Sequence, residues 1–96
     1  MAILIDDPVW SAHGRLWSHL ISDISFAELH EFANDHGLPP RGFDRDHYDV
    51  PREYHEHLVL AGARPVSSKE IVLALHAAGL RRRKRRPDSS DARQRS

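Results

Sequence analysis

The chain has 96 residues, with 14 Lys or Arg, 14 Asp or Glu, eight His and no Cys; that length suits one domain with a modest core, and disulfides and thiolate metal sites are excluded. The zero formal net charge hides an asymmetry, because residues 1–80 carry −6 and residues 81–96 carry +6, so an acidic body precedes a basic tail. No apolar run approaches the roughly 18 residues of a membrane span, and Met1 to Trp10 lacks a basic start and meets Asp6-Asp7 early, which argues against a signal peptide and leaves a cytoplasmic protein as the expectation.

Ala2-Ile3-Leu4-Ile5 is a short apolar run closed by Asp6-Asp7-Pro8. It reads as a buried strand with two carboxylates at its carboxyl end. Ligands of open α/β sheets bind beyond such ends, although Asp-Pro is equally a turn signal. Val9 to Leu16 reads as a loop that bends at Gly14. Arg15 on that loop has the fork geometry for a phosphate or carboxylate, or for pairing with Asp6 or Asp7. Trp17 to Asp23 reads as a strand covered on both sides, with Trp17, His19, Ile21 and Asp23 on one face and Ser18, Leu20 and Ser22 on the other. A histidine there is either a hydrogen-bonded core residue or a ligand beside the end of the first strand.

Ser25 to His36 has the clearest helical pattern. Ser25 is a good N-cap, Glu28 completes a capping box, and Phe26, Leu29, Phe32, Ala33 and His36 make an apolar stripe ended by Gly37. Leu38-Pro39-Pro40-Arg41-Gly42 is a loop anchored by Phe43. Asp46-His47-Tyr48-Asp49-Val50-Pro51 follows. On an extended backbone His47 and Asp49 point to the same side, and Pro51 suits the first turn of a following helix. The plain alternative is that Asp49 caps that helix and His47 is a polar loop residue. The helix should run from about Pro51 to Ala61 with Tyr54, Leu58 and Ala61 buried, while His55 and His57, two residues apart on a helix, cannot readily share a metal and are read as solvated. Ala63 to Val66 is a candidate edge strand. Ser67 or Ser68 caps a third helix with Ile71, Val72, Leu75 and Ala78 as its apolar face, ended by Gly79. From Arg81 onward the only apolar residue is Ala92, so residues 81–96 are expected to be disordered.

The alternation predicts an α/β fold: a small single domain over residues 2–80 with a short, mostly parallel sheet and about three helices, plus the basic tail. An ordered set of short motifs runs through it: the Asp6-Asp7 strand end, His13-Gly14-Arg15, Ser18-His19-Leu20-Ile21-Ser22-Asp23, Glu28-Leu29-His30, His47-Tyr48-Asp49 and Ala61-Gly62-Ala63. In this the chain resembles the bacterial and phage domain of unknown function family 4031, over roughly residues 2–80. The resemblance implies a single cytoplasmic domain and carries no activity, cofactor or catalytic residue.

Three functions follow from the residues. Asp7, His19, His47 and Asp49 are candidate ligands for a divalent metal, zinc or manganese above all, with His47 and Asp49 as the catalytic pair, Arg15 on a phosphate, and phosphoester hydrolysis as the chemistry. Without a metal, a His–Asp pair still offers acid–base work. Alternatively Arg81, Arg82, Arg83, Lys84, Arg85 and Arg86 attract nucleic acid by counterion release. The third reading is a non-catalytic adaptor whose polar residues satisfy one another.

Overall fold

The computed structural model describes residues 2–81. They form a six-stranded mixed sheet of order β4-β5-β3-β1-β6, with β2 also paired to β3. The strands are β1 (Ile3–Ile5), β2 (Trp10–Ala12), β3 (Arg15–Ser22), β4 (Phe43–Asp44), β5 (His47–Pro51) and β6 (Arg64–Pro65). The helices are α1 (Phe26–Asp35), α2 (Arg52–Leu60) and α3 (Ser68–Ala77), and Pro40–Gly42 makes one 3₁₀ turn. No helix among the described residues is long and apolar enough to cross a membrane. Arg81 closes the described chain, and the rest of the basic segment, residues 82–96, lies outside the described residues.

The expected α/β composition with three helices is present, but the sheet is mainly antiparallel, with β1–β6 as its one parallel pair. The difference begins at Val9 to Leu16, which is a hairpin rather than a loop. His13 and Gly14 are both left-handed, at φ 52° and 73°, and Ala12 pairs with Arg15 across them. Two central residues with positive φ make the type I′ turn that matches strand twist. His-Gly stands here in place of the commoner Asn-Gly or Asp-Gly.

Strict alternation then sorts the sheet into two faces. Ile3, Ile5, Leu20, Tyr48 and Val50 share one buried cluster with Leu29 and Ala33 of α1 and Leu58 of α2. Leu4 and Ile21 point the other way and pack on Ile71 and Leu75 of α3. A single helix covers only part of that second face. Farther along, β3 and β5 present Trp17, His19, His47 and Asp49, none of them fully buried. The candidate site lies where the second apolar cluster stops.

Local chemistry explains the helix ends, with one exchange. Ser25 caps α1 by accepting from Glu28 N–H, but the Glu28 carboxylate turns back to the Ser22 hydroxyl, so the reciprocal half of the box is missing. The complete capping box belongs to α3, between Ser67 and Glu70. Pro51 precedes α2 with no side-chain cap, so Asp49 is not a capping residue. Of the side chains expected inside, Tyr54 and Val72 are exposed. His55, expected to be solvated, is half-buried, and its Nε2 is buried without a hydrogen-bond partner among the described residues.

The face assignment of β3 is testable by a pair of truncations. Leu20, fully buried, should lose about 2–5 kcal/mol on change to Ala, a drop in Tm of at least about 10 °C. Leu16, of the same parity but on the exposed hairpin end, should shift stability by no more than about 0.5 kcal/mol. Equal losses in urea or thermal unfolding would contradict this register.

Candidate metal site

Asp6 follows β1 and has the parity of Leu4, so it faces α3 rather than the larger cluster. Its carboxylate is 1% exposed and accepts four hydrogen bonds. Oδ1 takes the His19 backbone N–H at 2.6 Å, and Oδ2 takes the Ser68 hydroxyl at 2.9 Å and the Trp10 indole N–H at 3.1 Å. The fourth contact is the His19 imidazole, whose Nδ1 lies 2.9 Å from Oδ2. Burial pushes the Asp6 carboxyl upward, but the bonds from the His19 ring, the His19 backbone and Ser68 outweigh it and hold the group below its ordinary value. An ionised carboxylate only accepts, so Nδ1 of His19 carries the proton.

A second carboxylate–histidine pair sits at the β4–β5 turn. Arg45 there is left-handed, at φ 64°, and the turn places Asp46 with its Oδ1 2.8 Å from Nδ1 of His47. Arg81 grips the same carboxylate through Nε at 2.7 Å and an NH2 group at 3.0 Å. Gly79, at φ 73°, lets the chain reverse after α3, where Leu80 N–H and Arg81 N–H both return to the Leu75 carbonyl. That reversal brings Arg81 to Asp46. For Asp46 too, burial raises the carboxyl, and the Arg81 and His47 contacts more than reverse it. The same contact raises the Arg81 guanidinium above its ordinary value.

The two imidazoles meet. The ring centroids of His19 and His47 are 4.9 Å apart, edge to face. Strand register explains the rest: His19 stands directly opposite Asp49, and His47 shares the Asp49 side of β5 two residues earlier. One ligand atom from each of His19, His47 and Asp49 lies within 4.8 Å of the other two. Nε2 of His47 is 3.2 Å from Oδ1 of Asp49. With both Nδ1 atoms turned to carboxylates, Nε2 is the nitrogen each ring offers the cluster. A lone-pair nitrogen beside a carboxylate oxygen repels it unless a cation, either a proton or a metal, lies between. The separation suits a shared metal, since ligands at ~2.0–2.1 Å in tetrahedral array are about 3.3 Å apart.

Of the sequence candidates, His19, His47 and Asp49 come together. Asp7 is exposed and does not belong to this group; the acidic neighbour of His19 is Asp6. Arg15 lies on β3, not on a loop, and its NH2 group bonds Glu53 at 2.8 Å rather than Asp6 or Asp7. Arg15 also sits over the Trp17 ring, 5.6 Å from its centroid. Arg81 belongs to the hydrogen-bonded support of His47. Sequence reasoning missed the supporting roles of Asp6, Asp46, Ser68 and Arg81. Parity gave a signal for Asp6, because it falls on the face of Leu4; Asp46 is set by the local turn before His47, whereas Ser68 and Arg81 depend on tertiary placement.

The family model described as "Protein of unknown function (DUF4031)" matches residues 3–78. No curated protein and no solved structure matches the chain.

Two outcomes follow from these carboxylates. Asp6→Asn forces an amide N–H toward a donor in either orientation; one buried unsatisfied group costs about 1–3 kcal/mol, so Tm should fall by roughly 5–20 °C. Acid should act through the same groups. Their folded carboxyls lie below the ordinary value of 3.8, so their contribution is full above that value and is lost as pH falls through the lowered folded values. Urea unfolding between pH 7 and pH 3 should show a shallower acid loss in Asp6→Asn than in the parent; parallel curves would contradict this.

Proposed function

The chain belongs to the DUF4031 family of proteins of unknown function, so its activity has to be read from its own site, and we propose that it is a metal-dependent phosphoesterase whose divalent ion is held by His19, His47 and Asp49. The observation that carries this reading is the 3.2 Å approach of His47 Nε2 to Asp49 Oδ1, with both histidine Nδ1 atoms already turned to carboxylates. Metal-ligating histidines commonly donate their second ring N–H to a carboxylate, which fixes ring and tautomer and raises basicity. Here both do. The donor set of two imidazoles and one carboxylate suits zinc, manganese or iron, and three protein ligands leave room for water and substrate.

When bound, such an ion lowers the pKa of its water and polarises a phosphoryl oxygen. The chain's own residues supply the rest. His19 and His47 are held by Asp6 and Asp46, and Arg81 holds Asp46. In such a hydrolysis water would add to phosphorus, the P–O bond to the leaving alcohol would break with its electron pair on that oxygen, and the proton released by the water would end on that alcohol. Asp49, the most exposed of the three side chains, would complete the ligand set with the two histidines.

Calorimetric titration of untagged, chelator-treated full chain with zinc and with manganese tests the ligand set. One equivalent is expected, with a rise in Tm of several degrees at saturation. Asp49→Asn, at a half-exposed side chain, and His47→Gln should each weaken binding by at least about 10-fold while the metal-free Tm of Asp49→Asn stays close to the parent. Binding undiminished in both variants, or no binding of either ion, would overturn the assignment. Hydrolysis of p-nitrophenyl phosphate esters by the metal-loaded chain, lost in Asp49→Asn, tests the reaction.

A further inference from the structure

The cluster opens into a cleft of about 960 Å³, within the usual range for small-molecule sites. His19 and Asp49 contribute to its lining, so the reactive end of any occupant would lie against the ligand set. The walls have a composition that folding does not account for. Trp10 and Tyr54 are 46% and 44% exposed, and Trp17, directly opposite Trp10 on the hairpin, is half-buried beside them. All three line the cleft. A cross-strand pair contributes only about 0.2–1 kcal/mol to a hairpin, whereas large exposed aromatics in one cleft mark a binding surface.

Both indoles are preset. Trp10 donates its N–H to Asp6 and Trp17 donates its own to the Ala12 carbonyl at 2.9 Å. Their hydrogen-bonding capacity is thus used within the protein, and what remains for an occupant is ring surface, less the side of Trp10 that packs on His19 and the side of Trp17 under Arg15. Trp10 also packs on the candidate ligand His19, with ring centroids 5.0 Å apart. A planar aromatic group on these indoles would lie one residue from the cluster.

The cations of the cleft are Arg15 and Arg41. Arg41, in the 3₁₀ turn, is exposed. Arg15 has a partner in Glu53, but both side chains are at least half exposed, and a solvated pair of this kind gives way readily to a stronger anion. Two guanidiniums, flat π faces and a metal-ligand set in one open cleft define an occupant that is flat and aromatic at one end and anionic at the other.

We propose that this cleft binds a nucleotide unit, a nucleobase carrying a phosphate ester, with the base stacked against Trp10 and Trp17 and the phosphate held by Arg15 and Arg41 in the cleft that His19 and Asp49 also line. The reactive end of this assignment rests on the phosphoesterase reading above, whereas the stacking wall does not depend on it. Base–aromatic stacking tolerates any sequence because every base has a π face. The unit is either a free nucleotide or the end of a single strand. Arg81 lies beside the cluster, with Trp10 and His19 bordering the same small hollow, and five basic residues follow it in sequence, so a strand would have an extra source of attraction.

Tryptophan fluorescence and amide chemical shifts of the full chain, kept metal-free with chelator, should be followed during titration with AMP, UMP, ribose 5-phosphate and a short oligothymidylate. Saturable quenching by both nucleotides is expected, with ribose 5-phosphate at least about 10-fold weaker. Arg41→Gln should weaken AMP by several-fold and leave adenosine unchanged. Tyr54→Ala, at an exposed side chain, should weaken both. Replacing Arg82, Arg83, Lys84, Arg85 and Arg86 with Gln separates the two sources: loss confined to the oligonucleotide assigns the strand, and equal affinities for both ligands assign the free nucleotide. Ribose 5-phosphate binding as tightly as AMP, or no change with any ligand that carries a base, would overturn the proposal even in a chain that binds zinc. Nucleotide binding in a chain that takes up no metal would uphold the wall and remove the phosphoesterase.

Discussion

The buried Asp6 carboxylate ties together four separate parts of the described chain. Through its four hydrogen bonds it ties the end of β1 to the β3 backbone, to the His19 ring, to the indole at the start of β2 and to the first residue of α3. These bonds add to short strand pairings, three residue pairs each for β1–β3 and β2–β3, and to the apolar cluster of Leu4, Ile21, Ile71 and Leu75. An isolated charge in such a place would be too costly to keep, and it is tolerated because every approach is a donor. The same bonds that offset its burial fix the orientation of the histidine that faces the cleft. Fold and site therefore share one electrostatic solution.

The partition of the sheet follows from this. Apolar residues alternate along β1, β3 and β5 so that one face is closed by two helices. The other face begins as core, with Leu4 and Ile21, and turns into chemistry within two residues, at Asp6 and His19. Two residues before His19, Trp17 occupies the same face, and across the sheet His47 and Asp49 replace the apolar residues that a third buried strand would need. Helix α3 stops at this boundary. A helix laid over the histidines would desolvate Asp49 and His47 without supplying partners, so the half-covered sheet and the open cleft have a common cause in the polarity of four side chains, Asp6, His19, His47 and Asp49.

Much of this was legible in the residue pattern. Ser25 and Gly37 bracket α1 because capping chemistry is local, and His47 and Asp49 share a side because strand parity is local. The direction of strand pairing was not legible. It turned on His13-Gly14, where a left-handed histidine completes a type I′ turn that the sequence did not advertise, and once that hairpin forms β3 lies antiparallel to β2 and the mainly parallel sheet is lost. Parity also distinguishes Asp6 from Asp7, but only once the β1 boundaries and the face that meets α3 are known. The pairing of His19 opposite Asp49 depends on register between strands 30 residues apart, and no spacing within either segment encodes it. Arg81 was hidden for a different reason: at the head of a basic run it reads as tail, yet one left-handed glycine turns it back onto Asp46.

The adaptor reading requires that the polar residues satisfy one another, and they do so only in part. Asp6 and Asp46 are saturated by donors, which is what a structural network would achieve. The network nevertheless ends with the second nitrogen of each imidazole in a cluster with a third carboxylate, and the contact of His47 Nε2 with Asp49 Oδ1 at 3.2 Å joins two electron-rich atoms. Protonating His47 would relieve that contact by itself. It would not explain why His19, fixed by a separate carboxylate just beyond β1, offers a ligand atom to the same small volume. Two independently supported histidines and an acidic residue directly opposite one of them bring three ligand-type atoms within 4.8 Å of one another, and beside them Trp10 stays exposed where a folding core would cover it.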